Sequence, residues 1–209
     1  PIAMHKVISP KAGDVLKCGA IINGARSYLC IAGGFLVDDL LGSRSTYINA
    51  RIGGFEGRKL QLDDEIPYEE TTANYAAYHV NTNPFYEKTP IRILQGTEWQ
   101  QFSQEMQNNF IKQTYVVSHK SDRMGYHLEA SEPIHLEKQF QLLSEAVTFG
   151  TIQLPPSGHP ILLMADRQTT GGYPKVAQVI TADLHRVAQL IPKQMLQFQL
   201  VSLDQAEEA

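Results

Sequence analysis

Seven short apolar runs divide the second half of this chain, and they constrain its fold more than any other feature. They are Ile91–Leu94, Thr114–Ser118, Tyr126–Leu128, Thr151–Leu154, Ile161–Met164, Val176–Ile180 and Leu196–Val201. Each is three to six residues long and is closed by Gly, Pro or a polar cluster, which is the pattern of buried strands and not of helices. Only two helical patterns interrupt them. Phe102, Met106 and Phe110 recur every four residues, so the spacing predicts an amphipathic helix from Glu98 to Phe110 with Thr97 as its N-cap. A shorter helix is predicted from Asp183 to Leu190. Many short strands with few helices make the chain mainly β, a barrel or a sandwich.

The first third is richer in glycine. Ser27–Ala32 reads as a buried strand ended by Gly33-Gly34, Leu36–Leu41 as one helical turn, and Leu60–Leu62 as a strand. Residues 68–90 lose all periodicity and read as a linker or long connection. The expected division is therefore a partial N-terminal β subdomain (1–67), that connection, and a barrel domain (91–209). A hydrophobic fraction of 43% over 209 residues suffices for a core. The formal charge of -4, with no basic run, argues against a nucleic-acid surface. No apolar stretch is long enough to span a bilayer, and a cytoplasmic setting is expected. Cys18 and Cys30 lack metal-ligand spacing and read as buried thiols. The histidines offer no ligand set, so no metal site is expected.

One segment is dense in chemistry. Asp166-Arg167-Gln168-Thr169-Thr170-Gly171-Gly172-Tyr173-Pro174-Lys175 lies between two apolar runs, where the chain is expected to reverse direction. A hairpin needs only the Gly-Gly pair, for its positive φ angles. The surplus of charge, amide and hydroxyl suits a pocket for an anionic or carbonyl-bearing small molecule; a charge-paired turn that orders itself is the alternative. Ser121-Asp122-Arg123-Met124-Gly125 is a second such turn, expected to face the same cleft. In the chemical reading Arg123, Arg167 and Lys175 are electrostatic clamps on a developing negative charge. Gly171 and Gly172 offer backbone N–H groups. Asp166 or Asp122 orients a cation or accepts a proton, and Gln168, Thr169 and Tyr173 position substrate. Gly42–Tyr47, with Arg44 among hydroxyls, reads first as ordinary turn chemistry.

Several motifs in order carry a family resemblance: Gly33-Gly34-Phe35, Leu41–Tyr47, Gly53–Arg58, Ser121–Gly125, Gly150–Gly158 and Asp166–Lys175. Together they resemble the allophanate hydrolase subunit 2 family, also called KipA-type or biotin-dependent carboxyltransferase-like, which includes one of the subunits of the bacterial 5-oxoprolinase. The resemblance implies a cyclophilin-like β-barrel. It implies a KipI-type partner (allophanate hydrolase subunit 1, itself a second 5-oxoprolinase component) and a LamB/YcsF-type third subunit. It implies an ATP-dependent 5-oxoprolinase, with ATP bound by the assembled complex, or a carboxyltransferase that uses biotin and urea. The other function implied is regulatory, an antagonist that neutralises a KipI-type inhibitor of a sensor histidine kinase. Members of the family carry further residues ahead of the segment matching Pro1 and a longer tail, so the chain reads as a fragment. If the missing segment lines the site, the fragment folds without being active.

Overall fold

The computed structural model describes residues 4–72, 90–134 and 142–209. Most of the expected connection at 68–90 and the histidine at position 135 lie outside the described residues. The chain divides into two compact units, Pro1–Lys17 with Ser27–Asn81 and Cys18–Arg26 with Thr82–Ala209.

In the second unit the apolar runs become strands close to where the sequence places them. These are β1 (Ile91–Gln95), β2 (Tyr115–Val117), β3 (Gly125–Ala130), β5 (Thr151–Gln153), β6 (Ile161–Leu163), β8 (Lys175–Val179), β9 (Met195–Leu196) and β10 (Phe198–Leu200). They form one sheet in the order β10-β1-β8-β5-β6-β3-β2-β9. Its two edges are successive pieces of a single stretch of chain. Met195-Leu196 pairs with β2, and after Gln197 the segment Phe198–Leu200 runs parallel to β1. A strand that bends from one edge of the sheet to the other rolls it into a nearly closed barrel and leaves few unpaired backbone groups. A separate two-stranded ribbon pairs β4 (Glu145–Ala146) with β7 (Thr170–Gly171).

The interior is aliphatic and aromatic. Ile93, Tyr115, Ile152, Leu154, Leu162 and Val187 have no accessible surface. Phe110 stacks on Phe198 at 5.4 Å between centroids and meets Trp99 edge-on at 6.0 Å. The Tyr115 hydroxyl donates to the Phe110 carbonyl at 2.7 Å, so the phenol is buried without losing its hydrogen bond, and burial pushes its pKa up.

The first helix differs from its sequence expectation. Residues Trp99–Gln101 form a 3-10 turn and Phe102 is extended (φ -87°, ψ 144°), so α1 spans only Gln104–Lys112. Its cap is Ser103, whose hydroxyl accepts from the Met106 N–H, in place of the expected Thr97. Phe102 breaks the helix because the chain must first turn under the barrel to bury Trp99 and Phe102 together. The second predicted helix shortens to α2 (Leu184–Ala188), preceded by a 3-10 turn at Thr181–Asp183. A third, α3 (Leu203–Glu207), opens with a capping box between Ser202 and Gln205 that the sequence reading missed.

The first unit departs further. Among its described residues there are isolated bridges, such as Phe35 with Tyr68 and Tyr47 with Ile52, but no strand longer than a single pair. Ser27–Cys30 is exposed instead of being a buried strand, and neither the Leu36–Leu41 helical turn nor the Leu60–Leu62 strand forms. A strand needs a partner along its backbone and cover on one face; Asp38 and Leu40 make only single bridges, and Ser27–Cys30 and Leu60–Leu62 make none among the described residues. Arg58 organises part of this unit by gripping both Asp64 oxygens at 2.7 and 2.8 Å, which holds the Asp64 carboxyl down at about 2. Cys18 and Cys30 are free and exposed, correcting the expectation of buried thiols.

One glycine sets a close approach on which the site depends. Gly96, at the end of β1, donates its N–H to the Val176 carbonyl at 3.0 Å, and a Cβ there would lie 2.0 Å from the Lys175 carbonyl oxygen. Gly96→Ala must push β1 away from β8. A loss of about 1–3 kcal/mol is expected, the usual cost of overpacking, read as a lower urea midpoint with unchanged slope. A midpoint equal to that of the parent would show that the strands separate without cost.

Candidate functional site

The polar decapeptide does not join two neighbouring strands. β6 and β8 each run antiparallel to β5, which lies between them, so they are parallel to one another. Residues 164–174 therefore carry the chain back along the barrel to start β8 from the same end as β6, where the sequence suggested a simple reversal. Gly171 and Gly172 do not take positive φ. Gly171 is instead needed for proximity: its strand β7 crosses so close to Gln153 that a Cβ would lie 2.4 Å from Nε2.

This path splits the predicted site residues into two groups. In the first, Arg123 meets Asp166 through a two-pronged ion pair, Nε to Oδ2 at 2.6 Å and Nη2 to Oδ1 at 2.9 Å. Asp122 holds its own turn, its Oδ1 accepting from the Met124 and Gly125 N–H groups at 2.8 and 3.1 Å. The guanidinium of Arg123 holds the Asp166 carboxyl below the usual range, against a smaller opposing effect of burial. Arg167 reaches the Ala165 carbonyl at 3.4 Å, and Gln168 and Thr169 are exposed beside it.

Lys175 belongs elsewhere. Register places Lys175 opposite Gln153, Gln153 opposite Ile161, and Ile161 opposite His127. Arg123 lies four positions before His127, outside the Gly125 end of β3, and β5 and β6 stand between β3 and β8. The two turns thus touch through Arg123 and Asp166, while the ion pairs of Lys175 among the described residues are with Glu98 and Glu145.

Around Lys175 the structure assembles groups that the sequence did not single out. Its side chain is only 11% exposed and pairs with Glu145 on β4 and, at 3.9 Å, with Glu98. Glu98 is itself buried, and its Oε2 accepts the Lys175 backbone N–H at 2.7 Å while Oε1 accepts the Thr97 hydroxyl at 2.8 Å. Gln153 is 2% exposed and donates from Nε2 to the Tyr173 carbonyl at 3.4 Å. Tyr173 leaves its ring half-exposed at the rim. A buried ammonium beside a buried carboxamide can stabilise negative charge developing on a carbonyl oxygen, in a setting drier than water. The clue to Glu98 was an acid directly after the Gly96-Thr97 turn that ends a strand. Glu145 had no such signal, because it reaches Lys175 only through the β4–β7 ribbon.

The exposed pair at the other end makes a contrasting prediction. The Arg123 and Asp166 side chains are 63% and 28% exposed. Arg123→Ala should cost only about 0.2–1 kcal/mol of stability, the range of surface ion pairs. The depressed Asp166 pKa places this contribution above its unfolded value near 3.9, and it is lost as pH falls through the lower folded value. Acid titrations of parent and variant should converge below that window. A gap that persists at lower pH would mean that Arg123 acts through packing instead.

Among the described residues no cluster of His, Cys, Asp or Glu could hold a metal ion, and no helix is long and apolar enough to cross a membrane.

Comparison with known proteins gives a consistent result. The family model for the carboxyltransferase domain, subdomain A and B, matches residues 1–200. A 5-oxoprolinase subunit of Haemophilus influenzae, the one designated C, is 39% identical over 206 residues, spanning 99% of this chain and 66% of that protein. Its Escherichia coli counterpart is 36% identical and spans 95% and 64%. The crystal structure of the K. lactis urea amidolyase superposes with a TM-score of 0.82 at 25% identity, over 99% of this chain and 14% of that one. The chain therefore spans about two thirds of the length of the 5-oxoprolinase relatives it matches.

Proposed function

This chain belongs to the family of carboxyltransferase domains, subdomains A and B, and we propose that it serves in a multi-subunit enzyme acting on an amide or urea carbonyl, with 5-oxoproline as substrate. The observation that carries the reading is the Lys175, Glu98 and Gln153 cluster. The relatives named as 5-oxoprolinase subunits supply the substrate class, and those named urea amidolyase supply the carbonyl chemistry the two have in common.

In ring opening of 5-oxoproline the lactam C–N bond breaks, the carbonyl carbon gains a hydroxyl from water and the nitrogen gains a proton. Charge accumulates on the carbonyl oxygen as this happens. The Lys175 ammonium stabilises that charge, and Gln153, buried and held by the Tyr173 carbonyl, backs the strand beside it. Glu98 holds the Lys175 backbone in place and neutralises part of its charge. Tyr173, with Gly172, forms the rim; Arg123, Arg167 and the two aspartates order the turn that carries Gln168 and Thr169.

ATP, when bound, supplies the driving force by activating the carbonyl. The Lys175 cluster is a poor triphosphate site because two carboxylates already surround its one cation, so the nucleotide is assigned to the assembled complex. Biotin enters only under the carboxyltransferase reading. The partners are a KipI-type subunit and a LamB/YcsF-type third subunit.

A second reading has one observation in its favour: Lys175 is already engaged by Glu98 and Glu145, as in a purely structural ion network. There the protein is a regulatory antagonist of a KipI-type kinase inhibitor and needs only a binding surface. Assay of the full-length protein for ATP-dependent 5-oxoproline hydrolysis, with and without its partner subunits, separates the two. Turnover that requires this protein supports the enzyme. Tight partner binding without turnover, together with restored kinase activity, supports the antagonist.

A further inference from the structure

The two carboxylates on Lys175 are of different kinds. Glu98 is built in: its side chain is 7% exposed and each oxygen has its own partner, the Lys175 N–H and the Thr97 hydroxyl. Glu145 is 57% exposed, stands on a two-residue strand, and its one hydrogen bond among the described residues is to the Lys175 ammonium. A half-exposed carboxylate on an ammonium contributes little net stability, because water and competing anions replace it at small cost. The rest of the cluster is preorganised whether or not Glu145 is in place. Gln153 is locked on the neighbouring strand opposite Lys175, and Gly171 closes over it without a side chain.

We propose that Glu145 stands in for the carboxylate of the substrate: a carboxylate-bearing lactam displaces it from one of the three N–H donors of Lys175 and leaves another for the carbonyl oxygen, so this site selects an anionic cyclic amide over a neutral amide or urea. The inference rests on the function proposed above. Exchange of one carboxylate for another leaves the local charge unchanged, one cation facing two anions, so a substrate carboxylate enters without a new electrostatic penalty. A neutral ligand offers the ammonium only a carbonyl oxygen, without the full charge of the carboxylate it would replace. Glu145 is then an internal competitor that lowers the fraction of the site open to substrate, and apparent affinity falls by that fraction.

The test uses the full-length protein in its assembled complex and three probes: 5-oxoproline, 2-pyrrolidinone (the same lactam without the carboxylate) and acetate (the carboxylate alone). Glu145→Gln keeps the size and removes the charge. It should lower KM for 5-oxoproline about tenfold and tighten inhibition by acetate, with inhibition by 2-pyrrolidinone unchanged. Lys175→Met should remove the preference for 5-oxoproline over 2-pyrrolidinone in direct titration, whatever it does to turnover. Thermal melting of both variants checks that they fold. If the parent complex hydrolyses 5-oxoproline and Glu145→Gln leaves its KM unchanged or raises it, the stand-in role is overturned and the proposed function survives. A gain in affinity equal for 5-oxoproline and 2-pyrrolidinone also overturns it, because Glu145 would then block space instead of charge. A complex that carboxylates urea and leaves 5-oxoproline intact overturns the substrate assignment and this inference with it.

Discussion

Asp183→Ala is expected to lower stability by about 3–5 kcal/mol, the cost of breaking a buried ion pair from one side. The Asp183 side chain is 1% exposed. Its oxygens accept from the Arg92 backbone N–H at 2.7 Å, from Arg92 Nε and Nη2 at 3.2 and 2.7 Å, and from Arg186 Nη1 at 3.0 Å. One carboxylate thereby ties the 3-10 turn before α2 to strand β1 and balances charge from two guanidinium groups. Burial raises its pKa, but the Arg92 hydrogen bonds and the nearby Arg186 charge outweigh this and hold it below the usual carboxylate range. The folded pKa is depressed, so the contribution is complete above the unfolded value near 3.9 and is lost as pH falls through the folded value. Urea unfolding at neutral pH should show the full deficit in Asp183→Ala, and a smaller one in Asp183→Asn, which keeps an acceptor. At lower pH the curve of the parent should approach those of both variants. A deficit below about 1 kcal/mol at neutral pH would mean that the pair contributes as a surface pair does.

The largest functional effect is expected at Lys175. Lys175→Ala in the full-length protein should lower ATP-dependent 5-oxoproline turnover by roughly a hundred- to thousandfold, equivalent to about 2.7–4 kcal/mol of transition-state stabilisation from one preorganised donor. Lys175→Met, which keeps the aliphatic length, should lose as much activity while melting closer to the parent. Arg123→Ala provides the comparison, since its side chain is exposed and paired with Asp166. Its turnover should stay within about tenfold of the parent. Equal rates for Lys175→Met and the parent would return Lys175 to a structural role and favour the antagonist reading.

How much of the site could be read in the chain depended on the distance between its parts. Asp166 through Lys175 stood out because ten chemically dense residues are contiguous. Glu98 and Glu145 are 77 and 30 positions from Lys175, and nothing local marks either as its partner. Gln153 lay inside a recognised motif, yet its burial follows only from β5 being central in the sheet. The Gly-Gly pair was read as a turn because a hairpin is the commonest use of that dipeptide. The actual constraint, Gly171 crossing Gln153, depends on a strand eighteen residues earlier in the chain.

The sequence alone determined the barrel strands, since alternating burial and short apolar runs bounded by Gly and Pro are local properties that survive in any compact arrangement. It also determined the family, through ordered motifs along nearly the whole chain. Tertiary structure decided the rest. The insertion of β5 between β6 and β8 made those strands parallel and sent the polar segment along the barrel. That route separated Arg123 from Lys175 and brought Lys175 to Glu98, Glu145 and Gln153. Strand order is set by which apolar faces fit together across long sequence separations, and no residue in the decapeptide encodes it.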